Sequence, residues 1–238
     1  MKLLIIRHAE SSNNRIALNL DYDAYMRSRS ADPIITDLGV EQTRLLAQHL
    51  AGAKDRYGIT HLYVSPMLRA IQTAAPVAAA LGLQPELWPD IHEHGGIFQG
   101  NPRNGDNLII RHGLRRPDIR RDFPDFVVPD AITDDGWWNG GYEDLPGCFA
   151  RAIRVARELR RRAEHEAEQH AETCLAMVSH GTFIDSLIKA FFHQLPDRGL
   201  HYFHNNTGIT CLDFGHNGTL YLRYLNRTAH LPPNMVSE

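Results

Sequence analysis

The sequence predicts an α/β fold: a three-layer sandwich with a mostly parallel central sheet and an irregular lid insertion. Three observations carry this. Short apolar runs alternate with stretches of helical periodicity. Capping residues and glycines stand at the junctions between them. From about 95 to 147 both patterns lapse, and Gly, Pro, Asn and Asp become frequent. Residues 1–238 read as a single domain, long enough to bury a sizeable core.

The elements follow in order. Leu3 to Ile6 is a buried strand that ends at Arg7. Thr36 offers an N-cap for a helix through about His49, with Leu38, Leu45, Leu46 and Leu50 on one side and Gly52 ending it. Ile59 to Val64 is a second strand. Ser65-Pro66 fits an N-cap followed by proline at the first helical position, opening a helix to Leu81 that Gly82 closes. Pro76 should end or kink that helix. Inside the insertion, Phe123, Phe126 and Trp137-Trp138 are isolated apolar pieces, the two indoles expected to pin it to the core. A helix from about Gly147 to His170 turns Phe149, Ile153 and Leu159 inward and leaves its Arg and Glu residues solvated. Cys174 to Val178 is a third buried strand, and Thr182 to Phe192 a helix. Ile209 to Phe214 and Leu220 to Tyr224 form a strand pair joined by the turn Gly215-His216-Asn217-Gly218.

Composition excludes several classes. A net charge of −3 speaks against a general nucleic-acid binder. Cys148, Cys174 and Cys211 lack metal-site spacing and read as free thiols of a reducing compartment. The apolar run after Lys2 is too short for a signal peptide, and no stretch approaches a membrane span. A cytoplasmic protein without a membrane or nucleic-acid partner is expected.

Chemistry in such sheets sits at the carboxyl ends of the strands. Arg7-His8, Ser65 with Arg69, and Ser179-His180 each lie just past a strand. Two histidines and two arginines at one rim suit an anionic substrate. A neutral imidazole can attack phosphorus, and guanidinium groups stabilise the charge spread over the equatorial oxygens. A carboxylic acid must still protonate the leaving alkoxide and later activate water. Glu93 lies where a fourth strand end is expected.

These residues resemble the histidine phosphatase superfamily, also called phosphoglycerate mutase-like. Arg7-His8-Ala9-Glu10-Ser11-Ser12-Asn13-Asn14 is similar to the family's R-H-G-(E/Q)-(S/T)-x-x-N, with Ala9 in place of Gly. Ser65-Pro66-Met67-Leu68-Arg69-Ala70-Ile71-Gln72-Thr73-Ala74 resembles its S-P-L-x-R-A-x-Q-T-A. Asp32-Pro33-Ile34-Ile35-Thr36-Asp37-Leu38-Gly39, Ser179-His180-Gly181 and Asn206-Thr207-Gly208 match further marks in the family's order. The resemblance implies His8 as the phosphorylated nucleophile and Arg7, Arg69 and His180 as phosphate-pocket residues, with Asn14 and the Gly181 amide as further contacts. It implies no metal and no cofactor. Glu93 is carried over as the acid, although the Gly96 and Gly100 frame puts His92 at that position. A metal-independent phosphomonoester hydrolase with a small phosphorylated substrate is therefore expected. Homodimerisation stays open.

Two rivals remain. A bisphosphoglycerate-dependent mutase would carry G-W-x-D and W-R-R-S stretches, and the corresponding regions lack both. A phospho-ligand-binding scaffold with weak turnover is favoured only by the displaced acid. Some features read as bystanders. The pentapeptide Leu4 to His8 recurs at Leu108 to His112, inside the insertion, without the downstream Asn. Glu10 reads as an arginine partner, and His92, His94, His201 and His204 as solvated loop histidines. The six arginines from Arg103 to Arg121 read as mostly solvent-facing or paired with Asp106, Asp118 and Asp122, with one or two left for an anionic substrate group.

Overall fold

The computed structural model describes residues 1–170, 172–197, 199–215 and 217–238. At its centre lies β1 (Lys2–Arg7), whose four consecutive aliphatics leave no polar face for solvent. It pairs in parallel with β6 (Cys174–Ser179), which pairs in parallel with β2 (His61–Val64), and β2 with the short edge strand β3 (Glu86–Leu87). On its other side β1 meets antiparallel β7 (Ile209–Phe214), followed by antiparallel β8 (Leu220–Arg227). The sheet order is β3-β2-β6-β1-β7-β8, mostly parallel as the sequence predicts.

Alternation along β1 feeds two cores, because successive side chains leave opposite faces. Leu4 and Ile6 join a cluster under α3 (Asp37–Gly52) and α5 (Leu68–Leu81). Leu3 and Ile5 join a second cluster under α7 (Leu145–Glu168) and α8 (Gly181–Phe191). These are the two outer layers of the sandwich.

Several boundaries move for identifiable reasons. The Thr36 hydroxyl caps α3 at Gly39 N as expected, at 3.1 Å. Ser65 does not cap α5. Its hydroxyl is engaged 2.7 Å from His180 Nε2, and the Asp32 carboxylate instead accepts the Leu68 N–H at 3.0 Å. The helix consequently begins at Leu68, with Met67 at the cap position. Pro76 neither ends nor breaks it; buried Ala74, Val77, Ala78 and Leu81 pack the turns on both sides of it and outweigh one missing backbone bond. Asp144 caps α7 at Gly147 N, so that helix starts at Leu145. Its buried face is Cys148, Phe149, Ala152, Val155 and Leu159, while Ile153 is only half-buried. Strand β8 continues beyond Tyr224 to Arg227. His216 of the expected turn lies outside the described residues.

Two helices between β1 and α3 were not legible as such: α1 (Ser12–Ala17) and α2 (Tyr22–Ser28). A further one, α4 (Lys54–Tyr57), follows Gly52. The insertion holds the hairpin β4 (Phe98–Gln99) and β5 (Ile109–Ile110), then α6 (Arg116–Asp122). Val127 bridges Glu86 in parallel and extends the edge of the main sheet. Ile97, Ile119, Phe126, Ile132 and Trp137 join the core beneath α3 and α5. Cys148, Cys174 and Cys211 are buried free thiols. Among the described residues no helix is long and apolar enough to cross a membrane.

Candidate active site

Strand register assembles the site. Arg7 pairs with Ser179 and Val64 with Val178, so β1, β6 and β2 end side by side. The next residues, His8, His180 and Ser65, emerge together. The His8 and His180 ring centroids lie 5.0 Å apart, and both rings are buried.

The two ring nitrogens of His8 have different tasks. Nδ1 lies 2.7 Å from the Ala9 carbonyl, an acceptor, and therefore carries the proton. Nε2 accepts the Arg69 Nε–H at 3.1 Å and therefore holds a lone pair. Burial, then the guanidinium groups of Arg69 and Arg7, hold the His8 pKa well below the ordinary histidine value. Burial and Arg69, followed by His8, do the same to His180. Both rings are neutral at pH 7, the state that a nitrogen nucleophile requires.

Arg69 is buried on the first turn of α5. Asp32, which binds the amide of Leu68, lies 3.8 Å from the Arg69 guanidinium and fixes where it points. Arg7 is anchored through NH1 on the His204 carbonyl, which leaves Nε buried without a partner among the described residues. His180 Nδ1 is likewise buried and unpartnered. In the tautomer in which the Ser65 hydroxyl, 2.7 Å away, donates to Nε2, the proton of the neutral His180 ring sits on Nδ1. Buried donors of this kind are satisfied by an oxyanion.

Glu93 stands at the N-terminus of α8. Its carboxylate accepts amide hydrogens from His94 at 2.8 Å, Phe183 at 3.0 Å and Thr182 at 3.2 Å. It borders a cavity of about 460 Å³ together with Thr182. His92 faces the other way. It packs 4.7 Å from the Trp138 ring and 5.2 Å from that of Trp137, with Nδ1 on the Pro89 carbonyl. Arg151, buried on α7, donates to the carbonyls of Asp90 and His92 at 2.8 and 2.9 Å and so braces the loop that carries Glu93.

The Asn14 side chain keeps its expected place near the site: Oδ1 accepts from Ser11 N at 3.1 Å and from the Ser11 hydroxyl at 2.8 Å, which leaves Nδ2 as the donor available to an anion. Other sequence expectations need correction. Asn206, which sequence reasoning placed in a core strand only, donates to the His8 carbonyl at 3.0 Å. Among the described residues Glu10 pairs with no arginine; it accepts the Thr36 hydroxyl at 2.7 Å and ties β1 to α3. His92 and His204 are buried rather than solvated, and His204 Nε2 lies 2.6 Å from the Thr210 hydroxyl. Arg151 carried no sequence signal, standing as one arginine among many on a charged helix.

An α/β sandwich whose parallel strands end in two buried neutral histidines flanked by guanidinium groups defines an enzyme of the histidine-phosphatase type. The chain belongs to the histidine phosphatase superfamily (branch 1), whose profile matches residues 3–227. A phosphoglycerate mutase-like protein of Arabidopsis thaliana is 27% identical over 214 residues, covering 79% of this chain and 73% of that one. PE-PGRS family protein PE_PGRS11 of Mycobacterium tuberculosis is 32% identical over 99 residues, 41% of this chain; the match spans only 15% of that relative's length. The fold is shared with a phosphoserine phosphatase of Entamoeba histolytica in complex with phosphoserine. There the TM-score is 0.60 at 22% identity, covering 97% of this chain and 99% of the other.

Proposed function

We propose that this protein is a metal-independent phosphomonoester hydrolase working through a phosphohistidine on His8. One observation carries the reading: the buried His8 ring, with Nδ1 held by the Ala9 carbonyl, turns its Nε2 lone pair toward the Arg69 guanidinium. On arrival of the phosphate, Arg69 Nε transfers its hydrogen bond from His8 to a phosphoryl oxygen. Arg7 Nε and His180 supply further donors to the equatorial oxygens. His8 Nε2 forms the bond to phosphorus as the ester oxygen leaves, and that oxygen takes the proton from the Glu93 carboxylic acid. The Glu93 carboxylate then removes a proton from water as the water attacks phosphohistidine, releasing phosphate and restoring neutral His8.

Relatives support the substrate class, the Entamoeba protein being bound to phosphoserine. Rapid acid-free quenching during turnover of an aryl phosphate, with chelator present, should trap phosphate on His8. The reading fails if turnover is lost to the chelator, or if phosphoglycerate interconversion outpaces hydrolysis.

A further inference from the structure

We infer that the substrate's leaving group carries a second anionic group, held by Arg29 and Arg103 in the cavity beside Glu93. This rests on the phosphomonoesterase reading and adds the chemistry of the group that leaves. The cavity is walled by Tyr22, Tyr25, Arg29, Phe98, Arg103 and Tyr142, with Glu93 at its border. It therefore lies on the side of the site where the acid meets the leaving oxygen.

The two arginines come from segments far apart in sequence, and each is fixed by the other's segment. Arg29, just past α2, stacks 3.9 Å from the Phe98 ring centroid and donates to the Phe98 carbonyl at 2.8 Å. Arg103, in the β4–β5 connection, stacks 3.6 Å from the Tyr22 ring of α2. Between them, buried Asn101 donates to the Asp23 carboxylate at 3.0 Å. This reciprocal latch holds both guanidinium groups in one cavity, so little side-chain entropy is lost when they bind.

Neither guanidinium forms an ion pair among the described residues, unlike Arg115, Arg116 and Arg121 of the same insertion. Arg29 is near enough to add to the positive field that lowers the Arg69 pKa. A phosphoryl group is already served by Arg7, Arg69 and His180. Two further cations at its side, neither in an ion pair among the described residues, are stabilised by a second negative charge on the ligand. A carboxylate and a second phosphoryl group share that chemistry.

The test measures calorimetric binding of three non-hydrolysable probes: propylphosphonate, phosphonopropionate and propane bisphosphonate. Either anionic probe should bind about 10-fold tighter than propylphosphonate, the scale of a charge-assisted contact. The better of the two tells carboxylate from phosphoryl. In Arg29→Met/Arg103→Met, which removes both guanidinium groups and keeps an unbranched side chain at each position, that preference should shrink toward unity. Arg103→Met alone, at an exposed position, should reduce it partway and guards against misfolding of the double variant. Equal binding of all three probes by the unaltered protein, or a preference that survives the double substitution, overturns the inference. Phenyl phosphate hydrolysis is followed in parallel. Its absence alongside an intact binding preference would sink the hydrolase reading and leave only the Arg29–Arg103 anion site standing, whereas hydrolysis without a preference would overturn the inference alone.

Discussion

His8 and His112 end the same pentapeptide, yet their surroundings assign them different work. His8 is buried beside Arg69, whereas His112 is exposed on the insertion, its Nδ1 3.0 Å from the Trp138 carbonyl. His8→Ala should lower turnover of an aryl phosphate by about a thousandfold or more, the scale of losing a nucleophile. His112→Ala should stay within about threefold, because that ring touches neither phosphate nor acid. Steady-state assays of both variants check this, and a dead His112→Ala would reverse the assignment. His8, Arg69 and His180 could be read from short motifs, since a strand end followed by a basic residue is a local signal. The choice between Glu93 and His92 could not. Adjacent residues leave the backbone on different sides, and only the packed Trp137 and Trp138 show that His92 points inward to the core.

At the scale of elements, capping signals were the dependable ones and packing overrode the rest. Thr36 caps its helix because its hydroxyl is free to do so, but Ser65 is diverted to a histidine 115 positions away in sequence. No local rule contains that partner. Helices α1 and α2 escaped notice because they are short, α2 burying none of its residues, so no apolar period announced them. The insertion is held down where glycines face indoles. Gly113 has φ +70°, and a Cβ there would lie 2.2 Å from Trp137 Nε1; at Gly96 it would lie 2.3 Å from Trp138. Gly113→Ala should therefore lose about 1–3 kcal/mol of stability from backbone strain and collision together. Urea unfolding reads this directly, and an unchanged midpoint would refute the pinning role of Trp137.

Across the whole molecule, burial of uncharged histidines makes stability depend on pH. Burial pushes His92 down to about 3 and His204 to about 4. Below the ordinary value of 6.5 the unfolded chain takes up protons that the folded chain refuses. Stability is thus full above pH 6.5 and falls as pH drops toward 4, by about 1.4 kcal/mol per pH unit for each such group. Asp32 acts in the opposite sense. Burial raises it to about 6, so the folded state gains a proton first and is favoured as pH falls toward 3.8. One such carboxyl offsets only one of the histidines. Urea midpoints should be lower at pH 5 than at pH 7, and an equal or higher midpoint at pH 5 would contradict the burial of neutral rings.

By itself the sequence determined the sheet-and-helix alternation, the order of the motifs and the basic residues gathered at the strand ends. Those properties are written in neighbouring residues: apolar period, caps, and basic side chains at strand ends. Tertiary structure alone decided the partner of Ser65, the direction of His92, the brace from Arg151 and the reciprocal latch around Arg29 and Arg103. Each of these joins segments distant in the chain, and such contacts depend on register and packing that no short stretch encodes.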